Sequence, residues 1–253
     1  MTTVYDIYSF IEDLAPYRLQ EGYDNGGLNV GEMSAEVRSV LVALDCTAEV
    51  AREACQRDFD LVLTHHPVIF RGLKTLVPND PAVILAAGGK NALSMHTNFD
   101  SAEGGMNDVL CKMLGLKPES ALHEEHGVGC GYVCECDGMN VRELAQRAKD
   151  VLGCRVVRFS GGEREISRVG VCSGSGGSFL ADAAEKGCQV LLTGDVKHDV
   201  FIDGENMGVS VIDAGHFYTE NIFCEFIAGE LKNKFSVLRV EIAVSNRDIV
   251  EVI

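Results

Sequence analysis

The sequence predicts an α/β protein of two related lobes, each a mostly parallel or mixed sheet flanked by helices. Three observations lead there. Short apolar runs alternate with amphipathic helical patterns along most of the chain. At an offset of 129 residues, Val40 to Thr64 falls on Val169 to Thr193 without a gap, and strand, loop, helix and strand follow in the same order in both. Identity there is confined to Val40/Val169, Val42/Val171, Ala54/Ala183, Leu63/Leu192 and Thr64/Thr193, so the repeat rests on pattern. Third, the copies end alike: Leu61-Val62-Leu63-Thr64-His65-His66 answers to Val190-Leu191-Leu192-Thr193-Gly194-Asp195, and His96 with Asp100 answers to His216 with Glu220. The carboxyl ends of the two sheets are then expected to face a common cleft, where a metal site is expected.

In order, Ile7, Phe10, Ile11 and Leu14 recur at helical spacing until Pro16 closes the segment. Tyr23-Asp24-Asn25-Gly26-Gly27-Leu28-Asn29-Val30-Gly31 reads as a turn whose glycines reach backbone angles closed to other residues. Val40 to Leu44 is a buried strand, followed by a helix with Val50, Ala51, Ala54 and Cys55 on one face, then by the strand Leu61-Val62-Leu63. A helix is expected from Pro81 to Ala87, stopped by Gly88-Gly89, and a short strand from Ala92 to Met95. In the second half, Val209 to Ile212 is a buried strand, Asp213-Ala214-Gly215 a turn, and an amphipathic helix runs on from Glu220 through Ile222, Phe223, Phe226 and Ile227. The first lobe is expected over residues 1–125, with a C-terminal strand at about 235–253 packing back on it, and the second over 126–234.

A chain of 253 residues needs no disulfide or metal merely to hold its core. A net charge of −16 repels phosphate backbones, and Arg and Lys are scattered singly, so nucleic acid is not expected as a partner. No basic-then-apolar leader opens the sequence and no apolar run approaches ~18 residues. A cytoplasmic protein with no membrane partner is therefore expected. Its ten cysteines then read as small buried apolar residues.

Thr64-His65-His66-Pro67 carries the chemistry in the first half. Two imidazoles follow an apolar strand and precede a proline that ends it. On an extended backbone they would face different ways, which suits two neighbouring ions better than one. A histidine and a carboxylate four residues apart share one helix face, as His96/Asp100 and His216/Glu220 do. The pooled set His65, His66, His96, Asp100, His216 and Glu220 has imidazole and carboxylate without thiolate, which suits zinc, iron or manganese in a hydrolytic site. One carboxylate can bridge two ions roughly 3.5–4 Å apart, and such a pair yields hydroxide at neutral pH.

Taken in order, Tyr23-Asp24-Asn25-Gly26-Gly27-Leu28, Thr64-His65-His66-Pro67, His96-Thr97-Asn98-Phe99-Asp100, Thr193-Gly194-Asp195 with Lys197-His198, and Asp213-Ala214-Gly215-His216 with Glu220 resemble the type 2 GTP cyclohydrolase I (Nif-three-like) family over nearly the whole chain. The resemblance implies two divalent ions per chain, held by His65, His66, Asp100, His216 and Glu220, with Glu220 as the bridge. It also implies a toroidal homohexamer and, by the family name, hydrolytic opening of the guanine ring of GTP. His96 would stand close by as the catalytic group that moves a proton, and Lys197 and His198 are candidates for binding the small-molecule substrate. The chain departs from the family in lacking room for the domain some relatives insert between the lobes. Where a basic residue is common within Gly127-Val128-Gly129-Cys130-Gly131, it has Cys130.

Two further stretches invite a site. His123, His126, Cys130, Cys134 and Cys136 crowd together, but without paired Cys-x-x-Cys knuckles, and Cys134 and Cys136 alternate as on a strand. Gly174-Ser175-Gly176-Gly177-Ser178 lies between strand and helix and is either a phosphate cradle or a tight turn. The leading expectation is a metal-dependent hydrolase of a small anionic, nucleotide-like molecule. Its rivals are a non-catalytic metal-binding regulatory or interaction protein forming a ring, and a metal-dependent phosphoesterase.

Overall fold

A computed structural model describes residues 1–125 and 127–253, and divides the chain into two compact units. The first comprises residues 1–102 with 223–249, and the second 103–222 with 250–253. His126 lies outside the described residues.

In the first unit, α1 (Val4–Leu14) starts at Thr3, whose hydroxyl accepts from the Asp6 amide while the Asp6 carboxylate accepts from the Thr3 amide. It buries Val4, Ile7 and Ile11. The sheet consists of β1 (Gly27–Val30), β2 (Ser39–Ala43), β3 (Leu61–Thr64), β4 (Asn91–Ser94) and β11 (Arg239–Ile242), in the order β1-β4-β3-β2-β11. Only β1 runs antiparallel, against β4. Every residue of β2, β3 and β4 is buried, as expected of strands covered on both faces. Between them, α2 (Ala48–Gln56) is capped by Thr47, and α3 (Pro81–Ala87) by Asp80 with Pro81 in its first turn. The short α4 (Thr97–Ser101) follows β4 directly.

The second unit opens with α5 (Met106–Leu114) and a long hairpin of β5 (Lys117–Glu125) and β6 (Val128–Asn140). Then follow α6 (Val141–Leu152), β7 (Arg158–Phe159), β8 (Glu165–Val171), α7 (Leu180–Glu185), β9 (Val190–Thr193), α8 (His198–Met207), β10 (Ser210–Asp213) and α9 (His216–Glu220). The sheet order is β5-β6-β8-β9-β10-β7, with β8, β9 and β10 parallel and the rest antiparallel.

The overlay seen in the sequence is a register match. Val40 faces Leu61 and Val42 faces Leu63 in the first sheet, and at the 129-residue offset Val169 faces Val190 and Val171 faces Leu192 in the second. The division falls at 102/103 and 222/223, where the sequence suggested 125/126 and 234/235. The physical reason is local. The segment at 117–125 is an arm of the β5–β6 hairpin and belongs to the second sheet. From Phe223, helix α10 (Ile222–Lys234) packs in the first unit, with Phe223 and Phe226 against Phe99. No helix among the described residues is long and apolar enough to cross a membrane.

Candidate metal centre

In the first unit the chemistry collects at the carboxyl ends of the neighbouring strands β3 and β4. His65 and His66 follow β3, and His96 sits between β4 and α4. The ring centroids lie 4.9 Å apart for His65 and His66, 5.2 Å for His65 and His96, and 5.3 Å for His66 and His96. One ligand atom from each lies within 4.8 Å of the others. The alternation expected of an extended backbone does not separate His65 from His66, because β3 ends at Thr64. The Thr64 hydroxyl donates to the His66 carbonyl at 2.7 Å and the His66 amide to the Leu44 carbonyl at 3.1 Å, which turns the chain.

Each ring is oriented through Nδ1. His65 meets the Met95 carbonyl at 2.9 Å, His66 meets Asp45 at 2.7 Å and His96 meets Asp24 at 2.8 Å. Carbonyl and carboxylate oxygens only accept, so in the neutral tautomer Nδ1 carries the proton and Nε2 the lone pair, as on metal-binding histidines. Asp100, on α4, brings Oδ1 to 3.5 Å from Nε2 of the fully buried His65.

Asp24 was read in the sequence only as part of a turn. Its buried carboxylate accepts from His96 Nδ1, the Thr97 amide and the Thr97 hydroxyl. Burial pushes its pKa up, but the hydrogen bonds from His96 and Thr97, the His96 charge and the Asn25 amide outweigh that and hold it at about 2. The signal that finds it is topological. Because β1 runs antiparallel to β4, with Gly27 facing Ser94, the turn before β1 meets the end of β4.

In the second unit, His216 and Glu220 stand four apart on α9, with His216 Nε2 at 2.8 Å from Glu220 Oε2. The His216 Nδ1 meets Asp195 at 2.8 Å, and Asp195 itself holds a left-handed backbone with φ of 52°. Asp213 fixes the turn before α9 by accepting from the Gly215 amide at 3.0 Å and the Val196 amide at 3.2 Å. Glu220 is buried at 4% exposure. Its bed is Gly174: a Cβ there would stand 2.0 Å from Glu220 Oε1, and the Gly174 amide donates to the Thr219 hydroxyl at 3.0 Å. Of the two readings of the glycine-rich stretch, the turn is the one these contacts describe.

The structure thus brings together His65, His66, His96 and Asp100 in one unit, and His216 with Glu220 in the other. Lys197 stands at the position before α8 without a side-chain capping hydrogen bond and His198 opens the helix, both exposed. Cys134 and Cys136 are buried along β6, with Cys134 Sγ 3.5 Å from Cys111 Sγ, while His123 pairs with Asp182 at 2.9 Å. That crowd is core and surface pairing among the described residues. The imidazole and carboxylate groups, pre-oriented and free of thiolate, fit a divalent zinc, iron or manganese ion.

Residues 2–249 match the model of the family described as Duf34/NIF3 (NGG1p interacting factor 3). The chain is 37% identical over 225 residues to a Clostridium perfringens protein named GTP cyclohydrolase 1 type 2 homolog, covering 85% of this chain and 86% of that one. It is 33% identical over 246 residues to the GTP cyclohydrolase 1 type 2 of Helicobacter pylori, covering 94% and 95%. The crystal structure of a Staphylococcus aureus hypothetical protein superposes with a TM-score of 0.90 at 28% identity, covering 99% of both chains.

Proposed function

Because the chain belongs to the Duf34/NIF3 (NGG1p interacting factor 3) family, we propose that it is a dinuclear-metal-dependent hydrolase of a small anionic, nucleotide-like molecule. Opening of the GTP ring is the reaction to which its relatives' names point. The observation that carries this reading is the group of three imidazoles at the ends of β3 and β4, each with Nδ1 held by an oxygen acceptor. His65, His66, Asp100, His216 and Glu220 are the residues that would hold the two divalent ions.

Bound ions would lower the pKa of water and polarise the substrate's electrophilic centre. The chain's own residues do the rest. Asp24 fixes the tautomer of His96, so that His96 presents Nε2 for giving or taking the proton of the leaving group. Lys197 and His198 would receive the anionic end of the substrate. The assembly proposed with this reading is a homohexameric ring.

Elemental analysis of untagged protein tests the reading, with close to two metals per chain expected. His65→Ala and Glu220→Ala should each remove metal and turnover. Full metal content with no turnover of nucleotides, pterins or phosphoesters would overturn the hydrolase and favour the non-catalytic alternative. Ring-opened product against released phosphate, with GTP as the probe, separates cyclohydrolase from phosphoesterase.

A further inference from the structure

The connection from β3 to α3 carries an unusual sequence for an exposed loop: Pro67-Val68-Ile69-Phe70-Arg71-Gly72-Leu73-Lys74-Thr75-Leu76-Val77-Pro78-Asn79-Asp80. Phe70 is 43% exposed and Tyr23, on the turn that carries Asp24, is 67% exposed. Neither ring is loose. The Tyr23 and Phe70 rings meet edge to face at 6.3 Å, and Phe70 in turn stands edge-on to His96 at 5.9 Å. The Asn25 side-chain amide donates to the Ile69 carbonyl at 2.6 Å, tying the two segments together beside the aromatic pair. Asp24, between Tyr23 and Asn25, holds the His96 ring itself. Two large apolar rings are therefore kept in contact with water at the rim of the imidazole group, fixed by hydrogen bonds to the same elements that orient His96. Arg71 and Lys74 follow on the loop, both exposed, and Asp80 is the only acid from Pro67 to Asp80. In a chain of net charge −16 that is a locally basic stretch.

We infer that Tyr23 and Phe70 form an aromatic clamp whose exposed faces a planar ring of the substrate stacks against beside His96, while Arg71 and Lys74 attract its negative charge at longer range. The inference rests on the hydrolase reading for its site and assigns the residues that would hold the ring of its nucleotide-like substrate. Exposed aromatic faces favour such rings because every one offers a π-face for stacking, whatever its substituents. A sugar phosphate without a ring system gains only from the cations.

Calorimetric titration of adenosine 5′-monophosphate, ribose 5-phosphate and adenosine tests this, on metal-loaded protein and on protein stripped with chelator. The nucleotide should bind about tenfold more tightly than ribose 5-phosphate. Phe70→Leu and Tyr23→Leu should each erase most of that margin and leave ribose 5-phosphate unchanged. The double variant Arg71→Gln with Lys74→Gln should weaken both phosphates, most strongly at low salt, and leave adenosine unchanged. Equal binding of nucleotide and sugar phosphate by the wild type, or a margin that survives both aromatic variants, overturns the clamp. With full metal content, either result removes the clamp and leaves the metal reading standing. A margin retained by a protein that never takes up metal removes the metal reading and leaves the clamp.

Discussion

In the first unit the ends of β3 and β4 carry three imidazoles and a carboxylate, whereas in the second the ends of β9 and β10 carry a glycine, two carboxylates and one imidazole. The ladders beneath are in the same register, so the backbone does not account for the difference. Side-chain room does. At the position of His65 the second unit has Gly194, where a Cβ would stand 2.6 Å from the His216 amide nitrogen. The neighbouring Asp195 then orients His216 from the end of β9, as Asp45 orients His66 from the end of β2. The lesson is that strand ends fix where ligand-type residues stand, and that an acceptor at an adjacent strand end or turn decides how each ring points.

The largest effect expected from breaking this comparison is at Gly174. Its left-handed backbone, φ of 59°, and the Glu220 carboxylate 2.0 Å from a built Cβ both oppose a side chain. Gly174→Ala should lower stability by about 1–3 kcal/mol from the backbone alone, and should also displace Glu220 and abolish metal uptake. Gly187→Ala separates the causes. Its φ is 72° with nothing within 4 Å of a Cβ, so it should lower the melting temperature and keep the metal. Equal metal loss in both variants would mean that the Glu220 contact is unimportant.

Next in size are the orienting acids. Asp45→Asn and Asp195→Asn keep the shape of the side chain but weaken the hold on Nδ1 of a proposed ligand, and each should cost about 10–100-fold in metal affinity, measured by competition with a chelating dye, whereas Asp24→Asn, which loosens His96, should keep the metal and lower turnover. Parallel losses for Asp45 and Asp195 would strengthen the comparison, and no loss at either would break it.

The smallest effect concerns the helices between the matched strands. On α2, Glu53 accepts from the Val244 amide at 3.0 Å and from the Ser245 amide at 2.9 Å, while the residue at the same offset on α7, Asp182, pairs with His123. Burial works to raise the Glu53 pKa, but the Ser245 and Val244 hydrogen bonds and Arg57 prevail and hold it at about 2. A depressed pKa stabilises the fold fully above the ordinary carboxylate range, and that contribution fades as pH falls from about 4.5 toward 2. Glu53→Gln should therefore cost about 1 kcal/mol at pH 7, and its melting curve should converge on that of the wild type in acid.

Much of the architecture was legible because β2, β3, β9 and β10 are short, wholly buried runs that periodicity registers well. The histidines and the i,i+4 pairs stood out by residue type. Asp24 did not, since its role depends on the antiparallel placement of β1 beside β4, which brings it to His96, 72 residues along the chain. Nor did the bed that Gly174 makes for Glu220, for a glycine-rich turn looks the same whether it receives a phosphate or a carboxylate of its own chain. The unit boundary at 102 escaped because β5, exposed along most of its length, is placed by pairing with β6 and carries little apolar signal.

The chain leaves the first unit after Ala102 and re-enters it at Phe223. During synthesis, the outer edge of β2 must therefore wait for β11, whose residues 239–242 emerge only after residues 103–222 of the second unit. At about 5–20 residues per second the intervening stretch takes roughly 7–27 seconds to make. A nascent chain meanwhile displays an open, wholly buried-type strand edge, the kind of surface that invites mispairing. Translation order thus makes the early half the aggregation-prone one, and a ribosome stalled before residue 239 should yield a product that chaperones retain.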